Sequence, residues 1–280
     1  ATGGTIRVVN GSEVRAGRVV SARAPRRLLS GVQTVEYLRS VRVGRLGWNP
    51  LGGNLIVSGA FGLCRRESVR AGGGYRSDTV GEDIELVVRM RRHAIETGGP
   101  TAVTFVADPI AWTEAPSTLP VLGRQRDRWQ RGLADTLLRH RRLAFNPRYR
   151  TLGLVAIPYF ILVELLSPVI EVAGVATLLV AYATDSPALG GTAVLLAILY
   201  AFGLAVSVTT LLVYQWSSGD PFPARDLPRL LGFTAMEYLG YHQLTVWWRL
   251  RGMARFLRGD RDWGSMVRAG FGSPAAEGAG

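Results

Sequence analysis

The chain has 280 residues, 48% of them hydrophobic, with 33 Lys plus Arg against 21 Asp plus Glu and a net charge of +12. Such a balance suits anionic partners, but the basic residues, all Arg, cluster beside apolar runs and not beside aromatic strands. That excludes a nucleic-acid module. Cys64 is the only cysteine, which excludes an intrachain disulfide and argues against a metal–thiolate site.

The chain opens "ATGGTIRVVNG", without a starting Met or a leader pattern, and reads as if it begins inside a domain. Thr5–Val9 is predicted as a strand, and residues 32–46 as a helix with Val32, Val35 and Leu38 at helical spacing. "NLIVSGAFGLCRR" (residues 54–66) is predicted as a buried strand with a glycine-marked turn, and Cys64 within it as a buried structural thiol. Residues 84–92 are predicted helical, with Ile84, Val87 and Val88 on one side. "TAVTFVADPIAW" (residues 101–112) is predicted as a second buried strand ended by Asp108-Pro109. Strands and helices alternating in this way define an α/β class.

Beyond Arg150 the composition changes. Residues 152–183 carry two charges, Glu164 and Glu171, and residues 191–214 carry none. At about 1.5 Å per residue the second run crosses a hydrocarbon core of about 30 Å. The first is too long for one straight crossing and is broken at Ser167-Pro168, so it reads as an interfacial or re-entrant piece followed by a span. Five Arg lie between 139 and 150 and six between 249 and 268, while 184–190 has none. The positive-inside rule puts 184–190 outside and both Arg-rich flanks in the cytosol. Residues 230–248, with Glu237, His242 and paired tryptophans, then fit an interfacial or re-entrant helix; an extra crossing within 152–183 would satisfy the same parity.

Three stretches carry chemistry. "VGEDIELVVRMRRH" sets Glu82 and Asp83 before a helix, where a carboxylate either caps the helix or takes a proton from a substrate. "RQRDRWQRG" places Gln125, Arg128 and Trp129 at i, i+3 and i+4 on one predicted helix face: an amide, a fork for phosphate oxygens, and a platform for a sugar ring. An interfacial aromatic belt is the competing reading. In "SGAFGLCRRE", small residues at Gly59 and Ala60 either admit a ligand close to backbone or serve a tight turn.

Taken in order, "SGAFGLCRR", "GGY" (73–75), "GEDIEL", "EAP" with Glu114, and "QRDRWQRG" before apolar helices resemble the membrane-integrated family 2 glycosyltransferases, among them cellulose, hyaluronan and poly-N-acetylglucosamine synthases. The resemblance covers about residues 1–180, with weaker echoes in "GYHQL" and "DWGSMVRAGF". It implies the C-terminal half of a GT-A (nucleotide-diphospho-sugar transferase) domain over 1–150, a membrane region over 151–248 and an Arg-rich cytosolic tail over 249–280. It implies inverting transfer from a nucleotide-diphosphate sugar, a UDP-sugar, to a growing β-linked polysaccharide at the inner membrane. Asp83 would be the catalytic base and Glu82 a supporting residue. Gln125, Arg128 and Trp129, with Ser58, Gly59 and Ala60, would bind diphosphate and acceptor.

It further implies Mg²⁺ or Mn²⁺ held by an Asp-x-Asp upstream of residue 1, so that residues 1–280 alone are expected to be inactive. The expected partners are donor, glycan acceptor and membrane lipid, with export or regulatory subunits and no nucleic acid. Transfer of one sugar to a lipid acceptor and a non-catalytic scaffold remain alternatives. Glu164 and Glu171, two turns apart, either line a polymer path or sit solvated at the interface. His242 reads as an interfacial polar residue. Trp263 and Arg268 either dock on the cytosolic domain or anchor at the interface, and "GSPAAEGAG" reads as a disordered tail.

Overall fold

A computed structural model of the protein describes residues 1–184 and 188–260. Trp263, Arg268 and the terminal segment lie outside the described residues. The centre is a three-stranded sheet ordered β4-β1-β5, built from β1 (Thr2–Val8), β4 (Gly62–Leu63) and β5 (Thr104–Thr113). A separate hairpin joins β2 (Glu13–Arg15) and β3 (Arg18–Ser21). Strands β1 and β5 run parallel, which requires a crossover; it carries α1 (Leu28–Tyr37), α2 (Arg66–Ala71) and α3 (Glu82–Thr97). The mixed α/β class read from the sequence is the one observed.

Two strand boundaries differ from expectation. The second strand does not end at Asp108-Pro109 but continues to Thr113. Gly4 pairs with Val106 and Thr5 with Ile110, so Ala107, Asp108 and Pro109 bulge out of the ladder, where a proline lacking N–H is tolerated. The predicted strand over 54–66 reduces to the two residues Gly62–Leu63, antiparallel to β1. Asn54, Leu55 and Val57 are buried as expected, but they are extended chain without ladder partners. Past the turn the chain runs along the sheet edge, so Leu63 is exposed and Cys64 is only half-buried, not the buried thiol predicted.

The helix predicted over 32–46 starts earlier, at Leu28, and loosens into a π-helical turn over Leu38–Gly44. After β5 comes α4 (Leu119–Arg139), then an apolar pair, α5 (Leu152–Leu165) and α6 (Ser167–Ala183), bent by 43° at the Ser167-Pro168 break. Next is α7 (Ala188–Ser217), of which Gly190–Ser217 is, among the described residues, the single helix long and apolar enough to cross a membrane. The bent pair meets the same test only when taken together. Val194, Leu195, Ile198, Leu199 and Phe202 on α7 are exposed, whereas Leu211 and Tyr214 near its end pack with Val32 and Val35 of α1 and with Leu38 just beyond it.

That junction is fastened by Arg7 of β1. Its guanidinium carbon lies 4.6 Å from the Trp112 ring, 4.8 Å from Phe222 and 5.5 Å from Tyr214, and its Nη1 donates to Asp220 Oδ2 at 2.8 Å. The segment 230–248 is divided: α8 (Leu227–Met236) ends near a break at Leu239–Gly240, where Gly240 takes φ +106°, and α9 (His242–Leu257) follows. The tryptophans predicted as an interfacial pair face opposite ways. Trp247 is exposed, while Trp248 is buried against Gly123 of α4, where an added Cβ would come within 2.7 Å of the indole nitrogen. Residues 249–257, expected to open an Arg-rich tail, belong to α9 and pack on α4 instead.

Candidate active site

The acidic pair stands at the head of α3, but neither acid is its cap. Gly81 holds the cap position without a side-chain bond, and Glu82 and Asp83 occupy the first turn. Asp83 Oδ1 accepts the Ile84 N–H at 2.8 Å, one of the helix's free amides. Asp83 Oδ2 accepts the Gly59 N–H at 3.3 Å, across from another segment. A cap serves only its own helix; this carboxylate also reaches the "SGA" turn.

That turn is tight. Phe61 N–H donates to the Ser58 carbonyl at 3.0 Å and Ala60 N–H lies 3.4 Å from Ser58 Oγ. Gly59 and Ala60 form its exposed tip, with Ser58 half-buried. The turn is fixed from below because the Phe61 ring lies on Gly4 of β1, so close that a Cβ there would be 2.3 Å from a ring carbon. Arg45 lies close enough for the Asp83 charge to act on it. Burial, the larger influence, pushes its pKa down to about 10, and Asp83 and Tyr37 oppose that. Tyr75 of the "GGY" loop is raised, first by desolvation and then by the negative charges of Cys64, Asp83 and Glu82.

The "GGY" loop is held by α3 itself. Arg89 donates to the carbonyls of Gly72 and Gly74, the latter at 2.6 Å, and pairs with Glu85 at 2.9 Å. Glu85 is buried, and His140 Nε2 stands 3.3 Å from the same oxygen, Oε1, that Arg89 Nε bonds. Burial, the largest influence, pushes the Glu85 pKa up, but hydrogen bonds from His140 and Arg89 outweigh it and hold it at about 2.

Helix α4 carries the Gln-x-x-Arg-Trp residues and meets α3 through glycine. Gly81 and Gly132 touch backbone to backbone, and a Cβ on either would lie 2.7 Å from the other's Cα. Trp129 is one turn before Gly132, so the acidic pair and the tryptophan flank the same helix crossing. The predicted common face is graded. Gln125 is buried, Arg128 is half-buried, and Trp129 is 44% exposed. Trp129 is also not bare: the guanidinium of Arg126 stacks 4.6 Å from its ring. Arg126 in turn pairs with Glu36 at 2.7 Å, and Tyr241 donates to the same carboxylate at 2.6 Å.

The opposite face of α4 bears Asp127, fully buried among three guanidinium groups. Arg131 Nε lies at 2.9 Å, Arg255 Nη1 at 3.0 Å and Arg251 Nε at 3.1 Å. Two of these come from α9, so the motif helix is bolted to the segment that follows the apolar helices. Sequence reasoning passed over Asp127; the i, i+4 pair with Arg131 was its available signal. Arg89 had the same signal in its i, i+4 pair with Glu85, whereas Glu36, Arg45, Arg126 and Tyr241 carried none, because their meaning depends on partners distant in the chain.

Glu164 and Glu171 lie on either side of the bend between α5 and α6, and the charges of both reach Arg249 of α9. Glu171 meets His242 at 2.7 Å, while Glu164 offers its backbone carbonyl to Arg249. His242 is thus a partner in a carboxylate pair. Among the described residues no group of three or more His, Cys, Asp or Glu side chains is placed to hold a metal ion.

The geometry thus joins an acid at a helix head to a tight glycine turn, with the Arg/Trp helix packed on that helix head through Gly81 and Gly132. The model for the glycosyl transferase family group 2 matches residues 17–218, and the chain belongs to that family. Two curated proteins from Staphylococcus epidermidis, each named poly-beta-1,6-N-acetyl-D-glucosamine synthase, are 25% identical over 112 residues, 40% of this chain and 26% of theirs. The chain therefore spans about a quarter of the length of the curated relatives it matches. What the match shows is membership of a glycosyltransferase family.

Proposed function

We propose that the protein makes a β-linked polysaccharide at the inner membrane by inverting transfer from a UDP-sugar. The observation that carries this reading is Asp83: an ionisable oxygen at an exposed turn, one helix crossing from Trp129. In a single displacement the acceptor hydroxyl oxygen bonds to the anomeric carbon as the bond from that carbon to the diphosphate oxygen breaks. The hydroxyl proton passes to Asp83, and the diphosphate leaves with the bonding electrons. One base suffices for this; hydrolysis with two opposed carboxylates needs another geometry.

In this reading the Ser58–Ala60 turn lines the acceptor pocket and Glu82 supports the loop. Trp129 lies under the acceptor ring, and Gln125 and Arg128 lie near the diphosphate. Mg²⁺ or Mn²⁺ would neutralise the diphosphate through ligands outside these residues, and no step above is routed through it. The transferase part is cytosolic. Support comes from α7, whose final turns pack on the α/β body while its first half is apolar and exposed, and from the sequence leading into α7, where residues 184–190 contain no arginine.

The test is incubation of membranes containing the full-length protein with a panel of labelled nucleotide sugars. Incorporation into polymer, lost in Asp83→Asn, is the expected result. Label appearing only on a single-sugar lipid would replace the polymer reading, and no turnover of any donor would favour a scaffold.

A further inference from the structure

Arg91 of α3 is a buried cation without an acid. Its side chain is 6% exposed, and its Nη1 and Nη2 donate to the backbone carbonyls of Asn54 at 3.1 Å and Gly52 at 2.7 Å. Its Nε, equally buried, has no partner, and no carboxylate among the described residues lies within ion-pair distance. Burial alone lowers its pKa to about 10, so it remains charged at neutral pH. Arg7, Arg126 and Arg131, also strongly buried, each have a carboxylate, and buried Arg42 lies 4.9 Å from the Tyr214 ring; Arg91 has neither among the contacts of the described residues. A buried charge left uncompensated is strongly unfavourable.

The same side chain lines a half-open cleft of about 180 Å³ between α3, the 101–104 segment and the start of α5. Its other polar lining includes Arg150, Thr101, Thr104 and Thr151, and no acid lines it. Arg150 is held at φ +48°, a left-handed backbone that a non-glycine residue rarely adopts. Two guanidinium groups, hydroxyl donors and strained backbone at one cleft form a site whose chemistry is one-sided.

We propose that this cleft binds a phosphate group, with Arg91 as the buried counter-charge and Arg150 as the gripping fork at the rim. The cleft opens beside Leu152, where the apolar helices begin, so the phosphate belongs either to a lipid headgroup or to a soluble ion. Neither Asp83 nor Trp129 lines it, and the proposal stands whether or not the transfer reaction is as described.

The test uses the full-length protein in two arms. In detergent, thermal unfolding is followed with inorganic phosphate against chloride at equal ionic strength. In nanodiscs, the protein is compared in phosphatidylglycerol and phosphatidylcholine. A stabilisation by phosphate, by phosphatidylglycerol or by both is expected, reduced at least tenfold in apparent affinity in Arg91→Met and unchanged in Asp83→Asn. Because Arg91→Met removes two hydrogen bonds and risks misfolding, Arg150→Gly is the second variant. Glycine accepts the positive φ, so the fold persists while the rim fork is lost, and affinity is expected to fall at least fivefold. No stabilisation in either arm, or one that persists in both Arg variants, overturns the proposal.

Discussion

Gly81 and Gly132 touch backbone to backbone, and this contact sets the distance between the acid-bearing helix α3 and the tryptophan-bearing helix α4. A methyl at either position meets main-chain atoms, which cannot swing aside as a side chain would. Gly132→Ala is expected to destabilise the protein by about 1–3 kcal/mol through overpacking. It should also reduce sugar transfer by more than the loss of folded protein explains. Thermal unfolding and turnover measured on the same preparation check this. Full activity in the alanine variant would mean that the helix spacing is irrelevant to the site.

Asp83→Asn preserves shape and one of the two accepted N–H bonds, from Ile84 or Gly59, while removing the proton acceptor. Turnover is expected to fall by about 10²–10⁴-fold, the range for a general base, with unfolding temperature little changed. Donor affinity, measured by nucleotide-sugar titration, is expected to stay near wild type.

Asp127→Asn breaks a different kind of contact. Three guanidinium groups surround a fully buried carboxylate, and neutralising it leaves them facing one another. Loss of about 3–5 kcal/mol is expected, as for other disrupted buried ion networks. Because Arg251 and Arg255 come from α9, limited proteolysis should cut that helix sooner in the variant. Equal proteolysis rates would show that α9 is held by its apolar contacts alone.

Glu85 supplies a pH signature. Its pKa is held near 2 against an ordinary value of 4.5, so the folded state binds the proton less readily than the unfolded chain. Its contribution is therefore complete above about pH 4.5 and is lost as the pH falls towards 2. Acid unfolding of the wild type should steepen across that window, and Glu85→Gln should be less stable at pH 7 with a flatter profile. Parallel profiles for the two proteins would remove Glu85 from the acid response.

Elements with strong local signals were legible in the sequence. The amphipathic spacing of Ile84, Val87 and Val88, the uncharged run through 191–214 and the proline break at 167–168 all correspond to observed helices or to the bend. The misses arose where tertiary context overruled local pattern. Asp108-Pro109 reads as a stop, yet a bulge absorbs it within one strand. "GAFGLC" reads as core, yet it borders an open sheet edge. Trp247-Trp248 reads as one belt, yet a glycine on α4 makes room for one of the two rings.

At the candidate site the motif residues were visible, but their holders were not. Glu85 and Arg89 lie inside the acidic-helix motif and were passed over, because only the folded loop shows that Arg89 holds Gly72 and Gly74. Arg126 sits between the motif's Gln125 and Arg128, and its stacking on Trp129 emerges only once Glu36 and Tyr241 orient it.

The aromatic cage around Arg7 has a mechanical consequence. Strand and long apolar helix are pinned at one charged point enclosed by three rings, so tilting the helix in its surroundings drags the sheet with it. In the membrane-embedded reading proposed above, a change in bilayer thickness would reach the α/β body through this one pinned point.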